Sequence, residues 1–206
     1  MLLKSIALFC GFWLLASVTA FAAPPDDAGI VLAQSGQSFV TSAGQRSPLN
    51  VGTTIRVGDL VEVADGAKLR LRMTDGSIVT AASGTRMTIT AYKVSGTQSR
   101  DAQFSLISGL LRAVVSAMSQ PSQFEVQTAT GVAAVRSTDW FIRADADSTQ
   151  VGVLEGVVSL TSSSTRRGVN IPARWGARVE AGKDPVPPRI WDKAEFQDVI
   201  NRTDIP

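Results

Sequence analysis

The side chains that could do chemistry in this chain are mainly carboxylates, because its 206 residues include no histidine and a single cysteine, Cys10. Histidine is the commonest acid–base catalyst, and Ser–His–Asp and Cys–His arrangements depend on it. Zinc sites built on histidine and cysteine are excluded as well. Asp139 and Glu155 fall in corresponding repeats, where a glycosidase-like carboxylate pair would need both in one cleft. Alternating strand residues of this kind usually face solvent, so we do not expect Asp139 and Glu155 to meet in a cleft. Because no other catalytic set is present in the sequence, we predict that the protein is not an enzyme.

A second group of carboxylates, Asp145 and Asp147 beside Ser148, could form a weak calcium loop. Hard cations take six or more oxygen ligands, however, and Asp and Ser favour turns through local hydrogen bonds. We therefore predict a turn between two strands at this place and no metal site. No glycine run precedes a helix, as a nucleotide-binding loop would require, and no cofactor is expected.

Three cations, Lys68, Arg70 and Arg72, alternate with apolar residues along one predicted strand. Alternation places them together on one face of the strand. One interpretation is a solvated face that protects an edge strand. The other is a candidate interaction face for an anionic partner in the cell envelope, such as an acidic polysaccharide or a protein patch.

The elements that position these residues are predicted to be strands. Three glycine-led apolar segments begin at Gly109, Gly131 and Gly156, at intervals of 22 and 25 residues. Intervals in this range indicate stacked repeats, so we predict an all-β domain, a β-solenoid-like stack of short strands and hairpins. A two-sheet β-sandwich is the alternative, because periodicity separates the two poorly. Together with Gly58 and Gly76, these glycines are interpreted as structural turn positions.

Other segments give narrower expectations. The polar stretch from Tyr92 to Ala102 is predicted to be an exposed loop, and Trp140 is predicted to lie in the core. Prolines between 185 and 188 exclude strand pairing and helix entry there. Residues 192–202 are predicted to form a short helix with Asp192 as its N-cap. Trp191 is expected to anchor this tail to the β domain.

The N-terminal residues predict the compartment. Lys4, an apolar stretch over 6–18 and the small residues around 20–22 are typical of a cleavable signal peptide at 1–22. The expected organisation continues with a flexible lead at 23–28, an all-β domain at 29–182, and a Pro-rich linker with a short helix at 183–206. We expect a periplasmic protein, with an extracellular one less favoured, and no membrane span in the mature chain. A net charge of +2 argues against a nucleic-acid partner.

Five motifs in this order resemble the FecR-type periplasmic domain family. They are VGDLV at 57–61, AKLRLRMTDGS at 67–77, LISGLLR at 106–112, the stretch from 124 to 139 that contains FEVQT and VRSTD, and VLEGV at 153–157. The resemblance extends over about residues 30–182. Ser137 and Trp140 depart from it, since the family usually has glycine and phenylalanine at these positions.

The resemblance implies a role in binding or sensing. Family members that regulate iron-uptake transcription carry a cytoplasmic segment that binds a sigma factor, a membrane helix, this domain and a receptor-facing module. Here a signal peptide is expected in place of the first two parts. We therefore predict a non-enzymatic module that binds a protein or polysaccharide in the envelope. The alternatives are a component of a signalling relay that acts with a separate membrane partner, and an enzyme on polysaccharide.

Overall fold

The computed structural model describes residues 26–205, and β-strands dominate this range. The predicted signal peptide lies outside the described residues. The first half of the described chain forms nine strands: β1 (Asp27–Ser35), β2 (Ser38–Ser42), β3 (Gln45–Pro48), β4 (Thr54–Arg56), β5 (Leu60–Val63), β6 (Lys68–Met73), β7 (Ile78–Ala81), β8 (Arg86–Ser95) and β9 (Ser99–Val115).

The second half adds eight strands and a helix within the described range. They are β10 (Gln123–Gln127), β11 (Gly131–Val135), β12 (Thr138–Ala144), β13 (Ser148–Glu155), β14 (Val157–Ser162), β15 (Gly168–Pro172), β16 (Trp175–Glu180), β17 (Arg189–Ile190) and α1 (Lys193–Thr203).

The strands pair as two sheets that share β9. Sheet A has the order β4-β1-β6-β7-β9-β12-β13-β16-β17. Sheet B has the order β3-β2-β5-β8-β9-β10-β11-β14-β15, and its β9–β10 pair is parallel whereas the others are antiparallel. The all-β prediction with a short C-terminal helix is confirmed. A solenoid-like stack is not confirmed, because successive strands and hairpins of the chain join sheet A and sheet B in turn.

One hydrophobic core includes residues from both sheets. Strand alternation supplies it: in β6 the residues Leu69, Leu71 and Met73 are buried, and the intervening cations point away. Trp140 of sheet A has no exposed surface, which confirms its predicted place in the core. Aromatic rings from sheet B meet it there, and Phe104 packs against Phe124 with ring centroids 5.1 Å apart.

Strand β9 leaves sheet B and enters sheet A at Gly109. Ser108 still pairs with Arg86 of sheet B, whereas Gly109 pairs with Ala144 of sheet A. Gly109 has a φ of 105°, a backbone conformation that residues other than glycine rarely adopt. A Cβ atom at this position would also lie 2.5 Å from the Cα of Thr85. The bend that joins the sheets therefore depends on glycine here.

The predicted exposed loop from Tyr92 to Ala102 is wrong. Strands β8 and β9 pair through this segment, and a turn covers only the tip near Gly96. Tyr92, Arg100 and Ala102 are all buried. The polar composition reflects outward side chains that alternate with these inward ones.

Helix α1 packs on the outer face of sheet A. Asp192 caps it, and the Asp192 and Glu195 side chains each accept a hydrogen bond from the other residue's backbone N–H, at 2.9 and 3.0 Å. The prediction of a capped C-terminal helix is thus confirmed. Within the described residues, no helix has the length and apolar character needed to cross a membrane.

Candidate interaction surfaces

The basic stripe of β6 lies beside the end of helix α1. Lys68 Nζ donates hydrogen bonds to the backbone carbonyls of Asn201 and Asp204, at 2.8 and 2.7 Å. Arg70 Nη2 lies 3.7 Å from Asp204 Oδ1, and Arg72 is exposed. The last carbonyls of a helix lack partners within it and carry partial negative charge, which a lysine offsets. Two of the three predicted interaction residues therefore contact the chain's own C-terminal helix.

Lys68→Met is expected to loosen the C-terminal end of α1 while the β domain stays folded. The lost contacts are worth about 0.3–1 kcal/mol, so amide exchange over residues 200–205 should accelerate a few-fold. Arg72→Met is the matched control, since it removes an exposed cation from the same strand face. Equal exchange in the two variants would show that Lys68 does not hold the helix.

The five predicted turn glycines occupy different kinds of position. Gly58 and Gly76 lie in turns, Gly156 lies where the chain crosses from β13 to β14, and Gly109 lies at the bend of β9. These four have positive φ, whereas Gly131 begins β11 with an ordinary φ. At Gly131 a Cβ would lie 2.9 Å from a methyl group of Val179. Close packing, and not a turn conformation, accounts for glycine at that position.

The carboxylates considered for catalysis are cross-strand neighbours, since Asp139 pairs with Glu155. Arg112 Nε and Nη2 donate to the two oxygens of Asp139 at 2.9 and 2.7 Å. These hydrogen bonds, partly offset by burial, raise the pKa of Arg112. Glu155 is exposed. Asp139 therefore already has a cation across both of its oxygens and does not form a free acid–base pair with Glu155.

Asp145 forms the turn that was predicted between β12 and β13. Its Oδ1 accepts hydrogen bonds from the backbone N–H groups of Asp147 and Ser148, at 2.9 and 2.7 Å. Its Oδ2 accepts from the Ser148 hydroxyl at 3.0 Å. The carboxylate thus stabilises its own loop. Across residues 26–205, no group of three or more acidic, histidine or cysteine side chains is close enough to hold a metal ion.

A buried ion pair lies under the turn that contains the Asp-Gly-Ser motif. Asp75 and Arg100 have no exposed side-chain surface, and Arg100 Nη1 donates to Asp75 Oδ2. The Tyr92 hydroxyl donates to Asp75 Oδ1 at 2.7 Å, and Ser77 adds bonds from its hydroxyl and its N–H, at 2.7 and 2.9 Å. Buried charges are tolerated when opposite charges and hydrogen bonds compensate them, and here only Arg100 Nε lacks a partner within the described residues.

The same arginine connects segments that are distant in sequence. Arg100 Nη2 donates to the backbone carbonyl of Ser116 at 2.9 Å and to that of Arg136 at 2.7 Å. The first carbonyl follows β9, and the second lies where the chain crosses from β11 to β12. Arg100 therefore holds the connection between β11 and β12 against the end of β9.

Electrostatics favour the ionised form of this network. Burial alone would raise the pKa of the Asp75 carboxyl, but hydrogen bonds from Tyr92, Arg100 and Ser77 outweigh it and hold that pKa below its usual value. Burial and the neighbouring Asp75 charge raise the pKa of Tyr92, so its hydroxyl remains a donor.

The sequence analysis did not identify Arg100 as part of a site, because it lies in the stretch that was predicted to be an exposed loop. The alternation of Arg100, Ala102 and Phe104 was the available signal.

An open groove of about 760 Å³, here called the end groove, lies where β11 crosses to β12. Its lining consists mainly of neutral hydrogen-bonding and small apolar residues: Ser122, Gln123, Ala134, Val135, Arg136, Ser137, Thr138, Val157, Ser159 and Asn170. Val157 is exposed, and none of the lining residues is acidic. The Thr138 hydroxyl is buried and has no hydrogen-bond partner among the described residues. Such an orphaned group has an unmet hydrogen-bonding capacity.

Known proteins are similar to this chain in two ways. A family model described as FecR protein matches residues 59–159. Two crystal structures of a protein from Parabacteroides distasonis ATCC 8503, provisionally described as an anti-sigma factor, share its fold with a TM-score of 0.54 and 16% identity. The aligned region covers 67% of this chain and 62% of that one, so this chain spans less than two thirds of their length.

No curated protein matches the sequence. At 16% identity the structural likeness concerns the fold alone, and the family assignment depends on the match at residues 59–159. That stretch extends from β5 into β14 and includes the Asp75–Arg100 pair and much of the end-groove lining. Residues 59–159 of this chain therefore match the model of the FecR protein family.

Proposed function

We propose that this chain is a non-enzymatic interaction module of the bacterial periplasm, and that its end groove binds an extended segment of a protein partner in the cell envelope. The observation that carries the proposal is an open groove whose lining consists mainly of neutral donors and acceptors and includes no acidic residue. A polypeptide backbone offers alternating N–H and C=O groups, which suit such a lining. Exposed Val157 would contact an apolar side chain of the same segment.

A protein suits this groove better than a polysaccharide. None of the lining residues has an aromatic ring on which a sugar could stack. A non-enzymatic role is supported by the carboxylate arrangement, in which Arg112 neutralises Asp139. The periplasmic location rests on the signal-peptide pattern of residues 1–22.

The groove proposal can be tested by photo-crosslinking in intact cells. A photoreactive residue in place of Asn170, which lines the groove, should form an adduct with one discrete protein. Ser159→Trp should abolish the adduct, because the indole would fill the groove beside Asn170. Thr161→Trp is the matched control on the same strand, outside the groove lining, and should preserve it. An adduct that survives Ser159→Trp, or one that glycan-degrading enzymes remove, would contradict the proposal.

Participation in a signalling relay is the second candidate function, and the family match favours it. The similar structures described as anti-sigma factors agree with such a role. A relay component acts through its contacts, so Ser159→Trp should change transcript levels as deletion of the gene does. Thr161→Trp should give the unaltered transcript pattern. If deletion of the gene changes no transcript level, the signalling-relay hypothesis is wrong and the binding-module proposal remains.

A further inference from the structure

A second groove, here called the helix groove, lies between helix α1 and the ends of β13 and β16. Its volume is about 280 Å³, and Leu154, Trp191, Phe196 and Ile200 supply its apolar surface. Trp191 and Phe196 pack together with ring centroids 5.6 Å apart. The helix groove shares no lining residue with the end groove, so it is a separate surface.

Two exposed cations, Arg174 and Lys193, line this groove. None of the lining residues is acidic. Neither cation forms an ion pair with any residue in the range 26–205. By contrast, the neighbouring cations Arg189 and Arg202 pair with carboxylates of α1. The groove therefore combines an apolar surface with two uncompensated positive charges.

The backbone of Arg174 is fixed relative to the apolar surface. Its N–H donates to the Val153 carbonyl at 2.7 Å, and its carbonyl accepts from the Trp191 N–H at 3.1 Å. Its φ of 70° lies in a region that costs a residue other than glycine about 1–2 kcal/mol. Arg174 lies in the turn between β15 and β16, which accounts for this φ. These bonds hold the backbone of Arg174 beside Trp191, and its side chain lines the groove.

We propose that the helix groove binds an acidic segment of a protein partner. One apolar side chain would contact Trp191 and Phe196, and flanking Asp or Glu residues would meet Arg174 and Lys193. The volume lies just below the roughly 300–1,000 Å³ of small-molecule pockets, which suits a side chain better than a whole ligand. Aromatic residues and arginine together are typical of protein interfaces. This site is independent of the end groove and of the partner proposed there.

The test uses a synthetic peptide with alternating Asp and Leu, and the same peptide with Lys in place of Asp. Binding is followed by tryptophan emission, because Trp191 lines the groove. The acidic peptide should bind about tenfold more tightly, since two exposed ion pairs contribute a factor of roughly three each. The difference should shrink in high salt. Trp191→Phe should remove the emission change.

Charge reversal provides the matched control. Arg174→Glu with Lys193→Glu should reverse the preference between the two peptides. Arg72→Glu with Lys93→Glu changes net charge equally at exposed positions outside the groove and should leave the preference intact. Ser159→Trp should also leave it intact, which separates this inference from the end groove. The proposal would be overturned if both peptides bound equally well, or if the two charge reversals had equal effects. Binding to anionic phosphatidylglycerol vesicles and to neither peptide would overturn it as well.

Discussion

Asp75→Asn is expected to lower the free energy of unfolding by about 3–5 kcal/mol, the cost of breaking a buried ion pair from one side. The neutral amide would leave Arg100 charged and without exposed side-chain surface. It would also weaken the bonds from Tyr92 and Ser77. Since whole domains are stable by about 5–15 kcal/mol, urea unfolding should show a large shift of the midpoint.

A double substitution distinguishes the ion pair from general disruption of the fold. Asp75→Leu with Arg100→Met removes both charges, and it should destabilise the protein less than either single change. If the two single effects simply add in the double variant, the pair is not the stabilising unit.

Acid provides a second test of the same pair. The pKa of Asp75 is lower in the folded protein than in the unfolded chain, so its contribution to stability is complete above the unfolded value of about 3.9. That contribution is lost as pH falls through the folded value. Wild-type stability should therefore decline more steeply than that of Asp75→Asn below about pH 4.

Gly176→Ala is expected to detach helix α1 from sheet A. A Cβ on Gly176 would overlap the indole ring of Trp191, which is buried against this strand. Trp191 also packs on Phe141, with ring centroids 5.1 Å apart, and loss of a buried aromatic costs about 3–5 kcal/mol. Tryptophan emission should shift to longer wavelength, and amide protection in α1 should disappear while the β domain keeps its own.

Arg178→Ala is the control for this substitution. It lies two residues further along β16, where its exposed side chain approaches Glu180 in a surface ion pair. Such pairs contribute little, so helix protection should remain normal. Unchanged protection in Gly176→Ala would show that Trp191 does not anchor the tail.

Local patterns predicted the elements of this protein well. The period-two alternation around Leu71 gave the correct faces of β6, and a short apolar pattern after Asp192 gave the helix and its cap. Trp191 was expected to anchor the tail, and its burial beside Phe141 confirms this interpretation. These features depend on neighbours within a few residues, which a single sequence displays.

Long-range pairing was the part that sequence could not supply. The glycine interval suggested repeating rungs, but Gly109 and Gly156 lie where the chain changes sheet, and Gly131 does not. The Asp75–Arg100 pair joins residues 25 positions apart, and its formation depends on strand register. Similarly, the contact between Lys68 and the end of α1 joins residues 133 positions apart. The end groove forms from five strands and two connections that no local motif links.

The shared strand β9 has a consequence for biogenesis. Its partners β7 and β8 precede it, whereas β10 and β12 follow it, one in each sheet. A chain that emerges from its N-terminus therefore exposes two open strand edges until the later partners arrive. Unpaired strand edges promote association with other chains. A chaperone would therefore protect the new protein from aggregation most in the period before β10 and β12 pair with β9.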